Sequence, residues 1–125
     1  RDWGYASDYV EGMWRMMQTD KPDTYVLSSG RTEKIRNFVE MASGELDIDI
    51  VWQGSGVDEV GVDSKTGTTI VKINPDFYRP AEVALLLGNS EKAKSKLGWQ
   101  AKTTLEKLCT MMIKADLRRV EYEGL

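Results

Sequence analysis

Apolar residues recur every three or four positions soon after the chain begins. Tyr9, Val10, Met13, Trp14 and Met17 fall on one helical stripe. Asp8 and Glu11 stand at capping-box spacing, which predicts a helix start there. Lys21-Pro22-Asp23 ends that helix, because proline cannot continue it. The Met- and Trp-rich stripe reads as a buried face rather than a ligand site. Residues 24–28 are short, β-branched and aromatic, and predict a strand. Ser29-Gly30 is a turn, and Thr32 can cap a second helix with Ile35, Phe38, Val39, Ala42 and Leu46 on its inner stripe.

Residues 48–52 predict another strand, broken by Gln53-Gly54-Ser55-Gly56. Residues 56–67 mix acidic residues with glycines and read as a loop. Residues 68–73 read as a third strand. Pro75 and Pro80 then hold an extended connection. Asn89 or Ser90 starts a short helix that ends near Gly98, a favoured position for a helix stop. Thr103 and Glu106 form a second capping box. Beyond it, Leu105, Leu108, Cys109, Met112, Ile113, Leu117 and Val120 line the last helix. The pattern is α/β: four helices and three short, scattered strands. At least one strand is expected to need a partner outside the chain, because an unpaired edge leaves backbone donors and acceptors open.

Composition narrows the function classes. With 41% hydrophobic and 30% charged residues, the 125-residue chain reads as globular, not disordered. A net charge of −3 argues against a nucleic-acid binder. Lys92, Lys94 and Lys96 cluster, but Glu91 dilutes them, and they read as a solvated helix face. There is no histidine, which removes Ser-His-Asp and Cys-His catalysis and the commonest zinc ligand. No metal site is expected. Cys109 is the only cysteine; it reads as core packing and fits a reducing cytoplasm. No apolar run reaches the roughly 20 residues of a membrane helix. The chain opens at Arg1 in the middle of a motif, so it is expected to be part of a longer polypeptide.

The candidate chemistry is sparse. Gly54-Ser55-Gly56 lacks the following helix that a phosphate cradle requires, and reads as a turn. No tyrosine has a lysine four residues later, so the base of a short-chain dehydrogenase is missing. Arg79, between Tyr78 and Pro80, could meet a phosphate with its planar fork, with Glu82 receiving sugar hydroxyls. The alternative is a surface ion pair between Arg79 and Glu82. Arg1-Asp2 before Trp3-Gly4 marks an ordered loop; it could bind a ligand or merely position the first helix.

Three stretches together resemble one family. RDWGYASDYVEGMW is similar to the R-D-W-G-H-A-x-D-Y-V motif of GDP-mannose 4,6-dehydratases. DFYRPAEVALLLGN resembles their R-P-[TA]-E-V segment, and KAKSKLGW their K-A-x-x-x-L-G-W. The resemblance covers roughly residues 1–117; residues 118–125 look like a variable tail. It implies the helix-rich, substrate-binding C-terminal portion of an extended short-chain dehydrogenase, without the Rossmann domain. Such enzymes use NADP to convert GDP-mannose to GDP-4-keto-6-deoxymannose. The resemblance implies that Arg1 and Arg79 contact the diphosphate of the substrate and Glu82 its nucleoside. It also implies that the catalytic residues and the cofactor site lie outside this chain, which is expected to be inactive alone. The strand near Tyr25 would complete the missing sheet, and self-association is expected through surfaces that domain would cover. Tyr5 departs from the family's histidine. A stand-alone binding module and a gene remnant are the rival readings.

Overall fold

The computed structural model describes residues 1–79, 81, 83 and 85–124. Among them are four helices, α1 (Ala6–Met17), α2 (Ile35–Gly44), α3 (Glu91–Leu97) and α4 (Leu105–Glu123). Three strands, β1 (Ile50–Gln53), β2 (Val60–Asp63) and β3 (Thr69–Lys72), form one antiparallel sheet in the order β1-β2-β3. The expected class and element count therefore hold. The chain divides into two compact units, residues 1–35 with 85–125, and residues 36–84.

The first unit is built around Trp99, which is 1% exposed. Gly98 ends α3 in the left-handed conformation, φ 62°. The amides of Gly98 and Trp99 return to Lys94 and Ala93, so the chain reverses and drives the indole inward. Its Nε1 donates to the Asp8 carbonyl at 2.7 Å, and its ring lies 5.9 Å from that of Tyr9. Ala93, Leu105 and Cys109 complete this core, so Cys109 packs as the sequence suggests. Gly12 belongs to the same core: a Cβ there would fall 2.6 Å from Leu27 and 3.0 Å from the Trp99 nitrogen. Arg15 donates to the carbonyls of Leu97 and Gly98, tying α1 to the carbonyl end of α3.

Asp8 does not cap α1. That helix begins two residues earlier, after Tyr5, with no side-chain cap. The buried Asp8 carboxylate instead accepts the amides of Lys102 and Thr103, at 3.1 and 2.8 Å, and so holds the approach to α4. Glu11 likewise pairs with Arg15 and Lys102 rather than with a free amide. Burial pushes the Asp8 carboxyl up, but the Thr103 amide and hydroxyl, the Lys102 amide and the Lys102 charge together leave it below the usual value. A carboxyl so lowered adds stability above its unfolded pKa, about 3.9, and that contribution disappears as pH falls through the folded value. Asp8→Ala is expected to cost about 1.5–3 kcal/mol at pH 7, because hydrogen bonds to a charged group are lost. It should also flatten the decline of melting temperature below about pH 4, which thermal unfolding across pH will check.

The stripe of Val10, Met13, Trp14 and Met17 corrects an expectation. Its helical spacing is right, but these side chains are 60%, 59%, 63% and 81% exposed. The buried side of α1 is the one with Asp8 and Gly12. Residues 24–28 also differ from the prediction: they take no strand pairing among the described residues, although Leu27 faces Gly12 and Ser28 is buried.

The second unit holds the sheet. Val51 stands opposite Val62, and Trp52 opposite Gly61, which in turn faces Val71. A Cβ on Gly61 would meet the side chains of Ile50, Val71 and Trp52 at 3.1–3.3 Å, so glycine lets those three close over the strand. β2 lies inside the stretch predicted to be a loop. Arg36 from α2 lies 4.7 Å above the Trp52 ring and pairs with Glu59, while Trp52 Nε1 donates to Glu40 at 2.7 Å. These contacts fix α2 against β1. α4 runs through residue 123, so the expected tail continues as helix.

Candidate functional site

The Arg1 segment is built by backbone exchange. The Arg1 nitrogen donates to the Glu33 carbonyl at 2.6 Å, and the Glu33 amide returns to the Arg1 carbonyl at 2.8 Å. The Asp2 carboxylate accepts the Ser29 hydroxyl at 2.5 Å and the amides of Ser29 and Gly30 at 3.1 and 3.2 Å. Asp2 thus fastens the turn at Gly30, φ 75°, and the pair Arg1-Asp2 is locked to that turn rather than to α1. Next to it opens a cavity of about 360 Å³, lined by Arg1, Asp2, Tyr9, residues 26–28 and residues 86–88. Its walls are apolar at Val26, Leu27, Leu86 and Leu87 and polar at Arg1, Asp2, Tyr9 and Ser28. Burial, then the Asp2 and Asp8 carboxylates, raise the Tyr9 hydroxyl above its usual pKa, so it remains a neutral donor. The Arg1 cation, the Asp2 carboxylate and the Tyr9 hydroxyl thus set a few polar groups in apolar walls, as a ligand pocket does.

Of the residues the sequence singles out for binding, Arg1 lines this cavity; Tyr9 and residues 86–88 line it too and are not among them. In the sequence Tyr9 belongs both to the apolar stripe and to the R-D-W-G motif. Its polar tip, at the start of a helix and close after Arg-Asp, was the available signal.

Arg79 belongs to the second unit. Pro75–Phe77 is a single turn of 3-10 helix, not the extended connection expected. Asn74 closes it by accepting the Asp76 amide at 2.9 Å, and the Phe77 and Tyr78 amides return to Asn74 and Pro75 at 3.1 Å each. Proline at the first position presets this turn. Tyr78 leaves it extended, with φ −69° and ψ 127°, and the exposed Arg79 follows. Pro80 and Glu82 lie outside the described residues, and so does the alternative ion pair of Glu82 with Arg79.

A second cavity of the first unit, about 210 Å³, includes Trp3, Arg31 and Glu106. Arg31 is paired with both Glu106 and Glu33, so its charge is already answered. Gly54-Ser55-Gly56 leads into a three-residue turn and then β2, as a simple turn would. Among the described residues, no group of three or more metal-ligating side chains lies together. Nor, among the described residues, is any helix long and apolar enough to cross a membrane.

Comparison with known proteins matches the sequence to one family. The family model for GDP-mannose 4,6 dehydratase matches residues 1–112. The chain is 50% identical over 117 residues to the GDP-mannose 4,6 dehydratase of Drosophila melanogaster, covering 94% of this chain and 30% of that protein. It is 45% identical to the GDP-mannose 4,6 dehydratase 2 of Caenorhabditis elegans, over all of this chain and 32% of the relative. The Homo sapiens GDP-mannose 4,6 dehydratase is 41% identical over 94% of the chain and 32% of its own length. The chain belongs to the GDP-mannose 4,6 dehydratase family, and spans about a third of the length of these relatives.

Proposed function

We propose that these residues form the nucleotide-sugar-binding part of a GDP-mannose 4,6-dehydratase, an enzyme that converts GDP-mannose to GDP-4-keto-6-deoxymannose in the cytoplasm. The observation that carries this reading is the Arg1 cavity, whose lining residues all belong to the first unit and fall within the residues 1–112 that the family model matches. Arg1 and Arg79 bind the diphosphate, each as a fork-shaped cation donating to phosphate oxygens. Glu82 receives hydroxyls of the nucleoside. The hexose, rich in hydroxyls, is taken up beside Tyr9.

NADP supplies the hydride chemistry of such enzymes. The residues present here do not fit that cofactor: Gly54-Ser55-Gly56 opens no helix, and no tyrosine carries the lysine four residues later. No chemical step is therefore assigned to this chain. The rest of such an enzyme, expected on the N-terminal side of these residues, would hold the cofactor and the reacting groups. That portion would also cover the exposed stripe of α1 and pair with residues 24–28; the exposure of that stripe and the lack of strand pairing at residues 24–28 among the described residues support this reading.

The purified 125-residue chain, given GDP-mannose and NADP, is expected to form no 4-keto-6-deoxy product. Product above a no-protein control, with contaminating enzyme excluded, would show that the chain carries its own catalytic groups.

A further inference from the structure

We propose that the last turns of α4 form a contact between two copies of this chain, their helices packed antiparallel. The first turns of α4 enter the core of the first unit, where Leu105 and Cys109 are 6% and 1% exposed. The same stripe continues at steps of four and three through Ile113, Leu117 and Val120. There the cover ends: Leu117 is 41% and Val120 56% exposed, and Met112 beside them 45%. An apolar stripe that runs on past its own core is a face suited to a partner. The family model reaches only residue 112, so this face lies almost wholly beyond the portion that it matches.

The charges beside the stripe select the partner. Lys114 and Glu121 each follow a stripe residue by one position, so both lie on one flank, two turns apart. They take no ion pair among the described residues. Asp116 and Arg119 each precede a stripe residue, lie toward the other flank and pair with each other at 2.6 Å. Turning a second copy end for end about the level of Leu117 and Arg118 sets Lys114 of each copy opposite Glu121 of the other. The same register sets Asp116 opposite Arg119 and brings Leu117 and Val120 of both copies into one apolar layer. A parallel pair at heptad spacing instead sets Asp116 beside Glu121 of the second copy, two like charges. The flanks are therefore complementary to themselves only when the helices run in opposite directions. About three turns of helix make a small interface, so the dimer is weak and reversible.

Sedimentation of the purified chain over a range of concentrations tests this. A reversible monomer–dimer equilibrium is expected. Lys114→Glu and Glu121→Lys each place like charges at two symmetric points, and each should weaken the dimer about five- to thirtyfold. An equimolar mixture of these two variants should regain the affinity of the unmodified chain, because each then supplies the charge that the other lacks. The double variant, which swaps the pair, should also regain it. Both single changes are at the surface, and circular dichroism checks that the helix is kept. Dimers that neither charge variant weakens overturn the proposal, since the copies then meet elsewhere, as on the exposed stripe of α1. A mixture no tighter than either variant alone overturns the antiparallel register. A cooperatively folded chain that stays monomeric up to about 1 mM also overturns it, and leaves the face to another part of a longer polypeptide.

Discussion

Replacing Trp99 by alanine is expected to cost about 3–5 kcal/mol, the range for removing a large buried aromatic side chain. The indole is 1% exposed, so nearly all of its apolar surface leaves water on folding. It also joins α1 to the end of α3. Its nitrogen holds the Asp8 carbonyl of α1, its ring packs against Tyr9, and its amide closes the end of α3. Gly12 lies within contact distance of it, so the cavity left by alanine would sit beside another position without a side chain and could not be filled from there. Domain stability is commonly 5–15 kcal/mol, so such a loss brings the unit close to unfolding. Urea unfolding followed by circular dichroism measures it. A loss below about 1 kcal/mol would mean that α1, α3 and α4 hold together without the indole.

Arg79→Ala carries the largest expected effect on function. A charged hydrogen bond is worth roughly 1.5–3 kcal/mol, so GDP-mannose affinity should fall about ten- to a hundredfold in a complete enzyme carrying this segment. Arg79→Lys should recover only part of it, because an ammonium cannot offer two parallel donors. NADP affinity should stay the same. If Arg79 instead pairs with Glu82 at the surface, the substitution costs at most about 1 kcal/mol of stability and leaves the dissociation constant alone. Affinity and melting temperature, measured on the same variants, distinguish these outcomes.

The sequence made the helices legible because their periodicity and stop signals are local. α3 ends at Gly98 as expected, since a left-handed residue there has a clear chemical marker. Thr104 rather than Thr103 caps α4, accepting the Lys107 amide, a shift of one residue between adjacent threonines. β2 was not legible: Val60-Gly61-Val62 offers a weak strand signal, and its pairing is supplied by β1 and β3 from either side. Residues 24–28 failed in the opposite direction. They have strand-forming side chains, but strand formation requires a hydrogen-bonding neighbour, which local composition cannot provide. The α1 stripe shows the same limit, because an amphipathic pattern marks a face suited to burial and does not say which molecule buries it. At the site, Arg1 was visible through its motif. Residues 86–88 were not, since they reach the same cavity only through the path of the folded chain.

The central claim, that these residues bind a GDP-sugar, is tested most directly by titrating the purified chain with GDP-mannose and with UDP-glucose in a calorimeter. The account predicts saturable binding of GDP-mannose, with UDP-glucose at least about tenfold weaker, a difference of roughly 1.4 kcal/mol. Equal affinity for the two, or no heat with GDP-mannose from a cooperatively folded chain, would contradict it.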